Sequence, residues 1–142
     1  MKKVAHILAR KGAHVLTVHP QEKVIHALQL MNEKNIGSLV VVEDDEYLGI
    51  VTERDYARKV IIRGKSSQDT TVEEIMSTGL PRITPENSID TCMHIMSENN
   101  IRYLPVFEGD KLCGIVSIND VVTETILAQK ETIAQLESYI HS

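Results

Sequence analysis

Apolar residues recur twice along the chain with the spacing of a helix that buries one face. In both stretches they occupy positions i, i+3, i+4 and i+7 soon after a proline, Pro20 in the first and Pro85 in the second. Such a stripe is typical of an amphipathic helix packed on a core. The residues of the two stripes are Val24, Ala27, Leu28 and Met31, and Ile89, Cys92, Met93 and Met96.

A pair of short apolar runs follows each of these helices, and an acidic turn separates the two runs of a pair. This pattern predicts a β-hairpin in each half of the chain. Thr52 and Ser117 then stand at the N-cap position of a further helix. The predicted strands are residues 38–42, 47–51, 103–107 and 112–116, and the predicted helices after the hairpins are residues 55–62 and 120–128.

The two halves are copies of each other. Residues 15–56 align with residues 80–121 without a gap, and 13 of the 42 aligned positions are identical. Unrelated segments would share about two or three at ordinary residue frequencies. The chain therefore contains an internal duplication, which decides its architecture.

The duplication predicts a mixed α/β (α+β) fold of two β-α-β-β-α repeats. Because about 60 residues cannot bury a helix face and a sheet face well alone, we expect the repeats to pack together with pseudo-twofold symmetry. The predicted domains are residues 1–62 for the first repeat with an N-terminal helix, 63–71 for a polar linker, 72–128 for the second repeat and 129–142 for a C-terminal helix.

Composition narrows the classes of partner. The 142 residues carry 15 Lys and Arg against 20 Asp and Glu, and they include four Tyr, one Phe and no Trp. Few rings and a net charge of −5 argue against a nucleic-acid platform. No apolar run approaches the length of a membrane span, so we expect a cytoplasmic protein without a membrane partner. Cys92 and Cys113 fall at apolar positions and are expected to be reduced and buried.

The run Gly-Ile-Val-(Thr/Ser)-x-x-Asp occurs at residues 49–55 and again at residues 114–120. Each copy lies about 30 residues after its helix-opening proline. The doubled motif resembles a pair of cystathionine-β-synthase (CBS) domains, the tandem unit called a Bateman module. The resemblance covers roughly residues 12–127 and implies a regulatory, ligand-binding protein.

The motif itself admits two interpretations. A Thr or Ser at the N-cap leaves backbone N–H groups exposed to an anion, and an Asp three residues later can accept hydrogen bonds from the two hydroxyls of a ribose. Alternatively, Thr52 and Asp55 form only a capping box. Arg54 and Arg58 share one helix face beside Lys59, which suits a phosphate, although such residues also form ordinary solvated faces.

The second copy lacks the cations of the first. Asn119, Thr123 and Glu124 stand where the first copy has Arg54, Arg58 and Lys59, although Arg102, at the position of Gly37, could partly substitute for them. We expect the first site to take a phosphorylated adenosine compound and the second to take a less charged one or none.

The resemblance also implies where a ligand lies, in clefts between the two repeats, with its base held by backbone and aliphatic groups. The implied nucleotide-binding residues are Thr17, Val18, His19, Ile36, Gly37, Ser38, Thr52, Arg54, Asp55, Arg58, Arg82, Thr84, Ile101, Arg102, Tyr103, Ser117 and Asp120.

These features predict a non-catalytic module that binds AMP, ADP, ATP or NAD(H) and signals energy or redox state to an unknown partner protein. S-adenosylmethionine is less favoured because it leaves the cations near Thr52 unused. The histidines lack metal-ligand spacing, and no catalytic motif or catalytic cofactor is expected. The competing hypotheses are a ligand-free scaffold and an unrecognised enzyme.

We also expect a homodimer. From Thr125 onward, apolar residues occupy the a and d positions of a heptad, apart from Gln129. Two heptads are too few to define a coiled coil, and the pattern favours a terminal helix that lies on a dimer partner. The residues in these positions are Ile126, Gln129, Ile133, Leu136 and Ile140.

Overall fold

A computed structural model describes residues 2–12 and 14–141 of the chain. Its strands are β1 (Thr17–Val18), β2 (Ser38–Glu43), β3 (Glu46–Thr52), β4 (Tyr103–Glu108) and β5 (Lys111–Ser117). Its helices are α1 (Val4–Lys11), α2 (Val24–Lys34), α3 (Glu53–Tyr56), α4 (Val72–Ile75), α5 (Ile89–Asn99) and α6 (Ile118–His141), and a π-helical segment (Ala57–Ile61) follows α3.

Packing divides the chain into two units. The first-repeat unit contains residues 15–80, and the second-repeat unit contains the described parts of residues 1–14 and 81–142. Each unit has its own apolar core, in which the buried face of α2 or α5 packs on a hairpin. These buried faces carry the two stripes that the hydrophobic periodicity predicts.

The first-repeat unit contains a three-stranded sheet in the order β1-β2-β3. Strand β1 runs parallel to β2, with Val18 opposite Val41, and β2 runs antiparallel to β3, with Ser38 opposite Thr52. A bulge interrupts the hairpin between Val41 and Val42. The β-α-β-β-α order predicted for this half is confirmed.

The second-repeat unit reproduces this arrangement at the aligned positions. Tyr103 lies opposite Ser117 in the β4–β5 hairpin, and its bulge falls between Val106 and Phe107. In place of a first strand like β1, this unit has a single parallel bridge, between Ile83 and Val106 of β4. Since Ile83 and Val106 are the counterparts of Val18 and Val41, the second repeat keeps the topology with a shorter first strand.

Helix α1 packs in the second-repeat unit, although it precedes the first repeat in the chain. Val4 N–H donates to Asn87 O over 2.9 Å, and Ala5 N–H donates to Pro85 O over 2.9 Å. The apolar face of α1 enters the core through Ile7, which is fully buried. The first-repeat and second-repeat units thus differ from the domain ranges predicted from the sequence, because the second repeat buries the apolar face of α1.

Helix α4 makes the corresponding contacts in the first-repeat unit. Val72 N–H donates to Glu22 O and Glu73 N–H donates to Pro20 O, each over 2.9 Å. In the alignment of the two repeats, Glu22 and Pro20 are the counterparts of Asn87 and Pro85, the acceptors used by α1. Each repeat is therefore completed by the short helix that precedes the other repeat.

The helices that follow the hairpins differ from their predicted bounds. The first begins at Glu53 and becomes π-helical after Tyr56, whereas the second continues without a break as α6. No Gly or Pro occurs after Gly114, so nothing in the sequence ends α6 near residue 128. The structure has one helix where the sequence predicted a repeat helix and a separate terminal helix.

Cys92 is buried as expected, but Cys113 is only half-buried in β5. Among residues 2–12 and 14–141, no helix combines the length and apolar character that crossing a membrane requires.

Gly49 and Gly114 lie where another part of the chain packs closely on each hairpin: Ser77, just after α4, at Gly49, and Leu8 of α1 at Gly114. A Cβ at Gly49 would overlap the carbonyl oxygen of Ser77, and a Cβ at Gly114 would lie 2.6 Å from Leu8 Cδ2. The Ser77 backbone is held by two hydrogen bonds with Ile50, of 2.8 and 3.1 Å. The obstacle is therefore fixed backbone at Gly49 and the end of a flexible side chain at Gly114.

We expect Gly49→Ala to lower the free energy of unfolding by about 1–3 kcal/mol, because the new methyl group must push the Ser77 backbone away. The matched variant Gly114→Ala should cost less, since the Leu8 side chain can turn aside. Urea denaturation of both variants measures the difference. Equal losses would contradict the distinction between the two contacts.

Candidate functional site

Thr52 and Asp55 form a reciprocal capping box at the start of α3. Asp55 N–H donates to Thr52 Oγ1 over 3.0 Å, and Thr52 N–H donates to Asp55 Oδ2 over 2.9 Å. The Thr52 hydroxyl also donates to Asp55 Oδ2, over 3.0 Å. Thr52 and Asp55 thus form the capping box that was one of the two interpretations of the motif.

The other oxygen of Asp55 is also engaged. Asp55 Oδ1 accepts a hydrogen bond from Ser77 Oγ over 3.1 Å and lies 3.1 Å from Lys59 Nζ. The residue is only 7% exposed. Since a carboxylate has about four acceptor positions, the four donors around Asp55 occupy them all. A ribose hydroxyl would have to replace one of these donors.

Lys59 has a structural role that the sequence did not reveal. Its Nζ donates to Ile75 O over 2.8 Å, at the carboxyl end of α4, besides pairing with Asp55. This ammonium therefore joins the helix after the hairpin to α4. Ser77 was also missed, because its contact with Asp55 arises only when the chain after α4 folds back.

The turn before β2 lies beside this capping box. Glu53 N–H donates to Gly37 O over 3.1 Å, and Ser38 lies opposite Thr52 in the hairpin. Thr17 pairs with Val40, two residues further along β2. The structure thus brings the predicted residues 36–38 next to 52–55, with Thr17 on the neighbouring strand.

His19 lies elsewhere. Its Nε2 is 4.0 Å from Glu43 Oε1, at the far end of β2. Five residues of strand separate Ser38 from Glu43, which corresponds to about 16 Å. The structure does not bring the His19 side chain to the Thr52–Asp55 turn.

The cations of the first site are not equivalent. Lys59 is occupied by Asp55 and by the α4 carbonyl group, as described above. Arg58 is exposed on the π-helical segment, and Arg54, in α3, is half-buried. Because Lys59 balances the charge of Asp55, the exposed guanidinium of Arg58 adds positive charge to this end of the first-repeat unit.

The second-repeat unit carries the same turn at the start of α6. Ser117 N–H donates to Asp120 Oδ2 over 2.9 Å, and Asp120 N–H donates to Ser117 Oγ over 3.1 Å. Ile118 N–H donates to Arg102 O over 2.9 Å, which brings the turn of Ile101 and Arg102 to the start of α6. Tyr103 lies opposite Ser117.

Helix α1 supplies cations to this second turn. Lys11 Nζ donates to Asp120 Oδ2 over 2.8 Å and to Ile115 O over 3.0 Å. Arg10 Nε donates to Glu124 Oε2 over 2.9 Å, and Glu124 is only 4% exposed. The cations beside the second turn therefore come from α1, and not from the positions equivalent to Arg54, Arg58 and Lys59. Its anions are balanced by residues distant in sequence, which periodicity alone does not place.

Two predicted residues of the second repeat lie apart from Ser117 and Asp120. The Arg82 guanidinium stacks 4.0 Å from the centre of the Phe107 ring, and Phe107 lies four residues along β4 from Tyr103, or about 13 Å. Thr84 N–H donates to Asn87 Oδ1 over 2.7 Å in the turn before α5. The structure does not bring the Arg82 guanidinium to the start of α6.

The environment of Asp120 favours its ionised form. Burial opposes ionisation, but the hydrogen bonds from Lys11 and Ser117 and the Lys11 charge outweigh it, so the pKa of Asp120 lies below its ordinary value. A lowered carboxyl pKa contributes stability above the unfolded-state pKa. That stability is lost as the pH falls through the folded-state pKa.

We expect Lys11→Met to raise the pKa of Asp120 and so to reduce the stability that this carboxylate contributes at neutral pH and loses at acid pH. The reason is that the variant removes both a hydrogen bond and a positive charge from the carboxylate. Side-chain NMR titration of Asp120 measures the pKa, with Lys111→Met, exposed on β5, as the control. An unchanged Asp120 titration would contradict the role of Lys11.

The chain belongs to the CBS-domain family. The family model for the CBS domain matches residues 4–62 and again residues 72–126. These two matches coincide with the two repeats and include the helix that leads into each. The resemblance found in the paired Gly-Ile-Val-(Thr/Ser)-x-x-Asp runs is thereby confirmed.

Individual proteins show the same relationship. The mitochondrial CBS domain-containing protein CBSX3 of Arabidopsis thaliana is 40% identical over 84% of this chain. The match covers 60% of the length of CBSX3. The CBS domain-containing protein YhcV of Bacillus subtilis is 36% identical over 75% of this chain and 76% of its own. A solved structure of a Burkholderia ambifaria protein with CBS domains matches with a TM-score of 0.87 and 46% identity, covering 90% of this chain and 96% of that one.

Proposed function

We propose that this protein is a non-catalytic regulatory module that binds an adenosine nucleotide, AMP, ADP, ATP or NAD(H), and signals to a partner protein. CBS-domain proteins are regulatory modules and often bind nucleotides. One observation carries the proposal for this chain: the turn before β2, the capping box and two arginines share one end of the first-repeat unit.

Each part of a nucleotide has a matching group at this end. Ile36, which is 36% exposed, and the backbone of residues 36–38 offer an aliphatic edge and peptide groups to a base. Asp55 and Thr52 offer the hydroxyl-binding groups for a ribose, in exchange for one of their present hydrogen bonds. Arg54 and Arg58 offer guanidinium groups to the phosphates.

The two capping turns differ in the charged residues around them, and this difference favours different ligands at the two turns. In the first-repeat unit the Asp55–Lys59 pair is neutral, and the exposed Arg58 adds positive charge beside it. In the second-repeat unit Asp120 and Glu124 are matched one to one by α1, and Arg102 stands beside the turn where the first unit has both Arg54 and Arg58. We therefore assign the phosphorylated ligand to the first turn and a less charged one, or none, to the second.

Calorimetric titration with adenosine, AMP, ADP, ATP, NAD, NADH and S-adenosylmethionine tests the assignment. We expect Arg58→Gln to weaken AMP binding about tenfold, because one charge-assisted contact is lost, and to leave adenosine binding nearly unchanged. The control is Arg63→Gln, an exposed arginine just after the π-helical segment. Equal loss for adenosine and AMP would overturn the phosphate role.

A ligand-free scaffold is the second candidate function. The observation that favours it is the full set of donors around Asp55, which holds the turn together without any ligand. The same titration separates the two candidates. No binding of any compound in the panel by the native protein would favour the scaffold and contradict the sensor.

A further inference from the structure

The exposed apolar side chains of this protein are concentrated on α6. Among the described residues, six of the nine exposed large apolar side chains belong to this helix. From Gln129 to His141 every residue of α6 is exposed. The six residues are Val122, Ile126, Ile133, Leu136, Tyr139 and Ile140.

Most of these side chains form one stripe. Ile126, Ile133 and Ile140 occupy heptad position a, Val122 and Leu136 occupy position d, and we call these five residues the α6 stripe. Ile133, Leu136 and Ile140 are 55%, 57% and 72% exposed. Sustained a and d positions of this kind are typical of a helix that packs against another helix.

We propose that a second copy of this chain covers Ile133, Leu136 and Ile140 of the α6 stripe, with the two α6 helices antiparallel. Charge favours this orientation. Lys130 and Glu137 both occupy position e, and e positions face each other across an antiparallel pair, so Lys130 meets the partner's Glu137 twice. In a parallel pair, each e position faces a g position, and the g residues Thr125 and Thr132 carry no charge.

A groove beside α6 supports the antiparallel arrangement. It has a volume of about 480 Å³ and includes Gln129 and Ile133 of α6 and Ile89 and Asp90 of α5 in its lining. The antiparallel register that places Leu136 against the partner's Ile133 also places Ile140 against the partner's Gln129. The exposed end of each α6 helix therefore meets the groove of the other copy, which buries Ile140.

Disulfide trapping tests this geometry directly. In an antiparallel pair Gln129 lies close to the partner's Ile140 but about 16 Å along the axis from the partner's Gln129. In a Cys113→Ser background, Gln129→Cys/Ile140→Cys should form a covalent dimer on mild oxidation, whereas Gln129→Cys alone should not. Cys92 can remain, because burial raises its pKa to about 11 and keeps it unreactive.

The two cysteines of the double variant cannot join within one chain, because the helix between them also separates them by about 16 Å. A covalent dimer with Gln129→Cys alone would show a parallel pair and would overturn the proposed orientation. No cross-linking by either variant, in a folded protein, would overturn the helix pairing itself.

Sedimentation equilibrium tests the surface without added cysteines. We expect the native chain to dimerise and Leu136→Asp to weaken association at least tenfold, while Ser138→Asp, at position f on the opposite side of α6, leaves it unchanged. Lys130→Glu should weaken the dimer, and Lys130→Glu/Glu137→Lys should restore it.

Circular dichroism and thermal melting show whether each variant remains folded, and substitutions in this exposed half of α6 should leave both nearly unchanged. A native protein that stays monomeric, or a dimer unaffected by Leu136→Asp, would overturn the proposal. Failure of these tests would leave the nucleotide assignment intact, since that assignment rests on residues of the first-repeat unit.

Discussion

The fold depends on the close contact between each hairpin and a segment that precedes the other repeat. At Gly49 the Ser77 carbonyl group lies where a side chain would otherwise stand, and two backbone hydrogen bonds with Ile50 hold it there. At Gly114 the Leu8 side chain fills the corresponding space. A repeat of about 60 residues, with one hairpin and one amphipathic helix, buries too little surface alone. The segment that docks on each hairpin therefore closes the core of that unit. The short helices α1 and α4 are thus part of the repeats that they complete, rather than linkers.

The difference between the two capping turns follows from this arrangement. Asp55 and Asp120 are equivalent in sequence and in their hydrogen bonds to Thr52 and Ser117. Their cations have different origins: Lys59 comes from the same helix as Asp55, whereas Lys11 comes from α1. Where the first repeat places a lysine at residue 59, the second places Glu124, which Arg10 of α1 neutralises. Charge balance at each turn is therefore set by the segments that dock on the repeats, as well as by the repeats themselves.

This explains how far the sequence could predict the structure. The internal duplication predicted both hairpins, both amphipathic helices and both N-caps, because each of these depends on neighbouring residues with a regular period. It did not predict the π-helical segment after Tyr56, the uninterrupted α6, or the pairing of Lys11 with Asp120. Ser77 and Lys11 reach their carboxylates through packing between residues distant in the chain, which no local pattern encodes. Residues 36–38 and 52–55 lie together because a hairpin fixes its own two ends, whereas His19 and Arg82 contact Glu43 and Phe107 towards the other ends of β2 and β4.

The engaged carboxylates also constrain how a ligand could bind. Asp55 already accepts hydrogen bonds from Thr52, Ser77 and Lys59, so a ribose hydroxyl would exchange one donor for another. An exchange of this kind contributes little net free energy, because the number of hydrogen bonds to the carboxylate stays the same. Most of the affinity would then come from groups that face solvent at this end of the first-repeat unit, which are the guanidinium group of Arg58 and the aliphatic edge at Ile36. In the second-repeat unit α1 already balances the anions, and Arg102 stands beside the turn in place of two arginines, so a phosphate would gain fewer charge interactions there than beside Arg54 and Arg58.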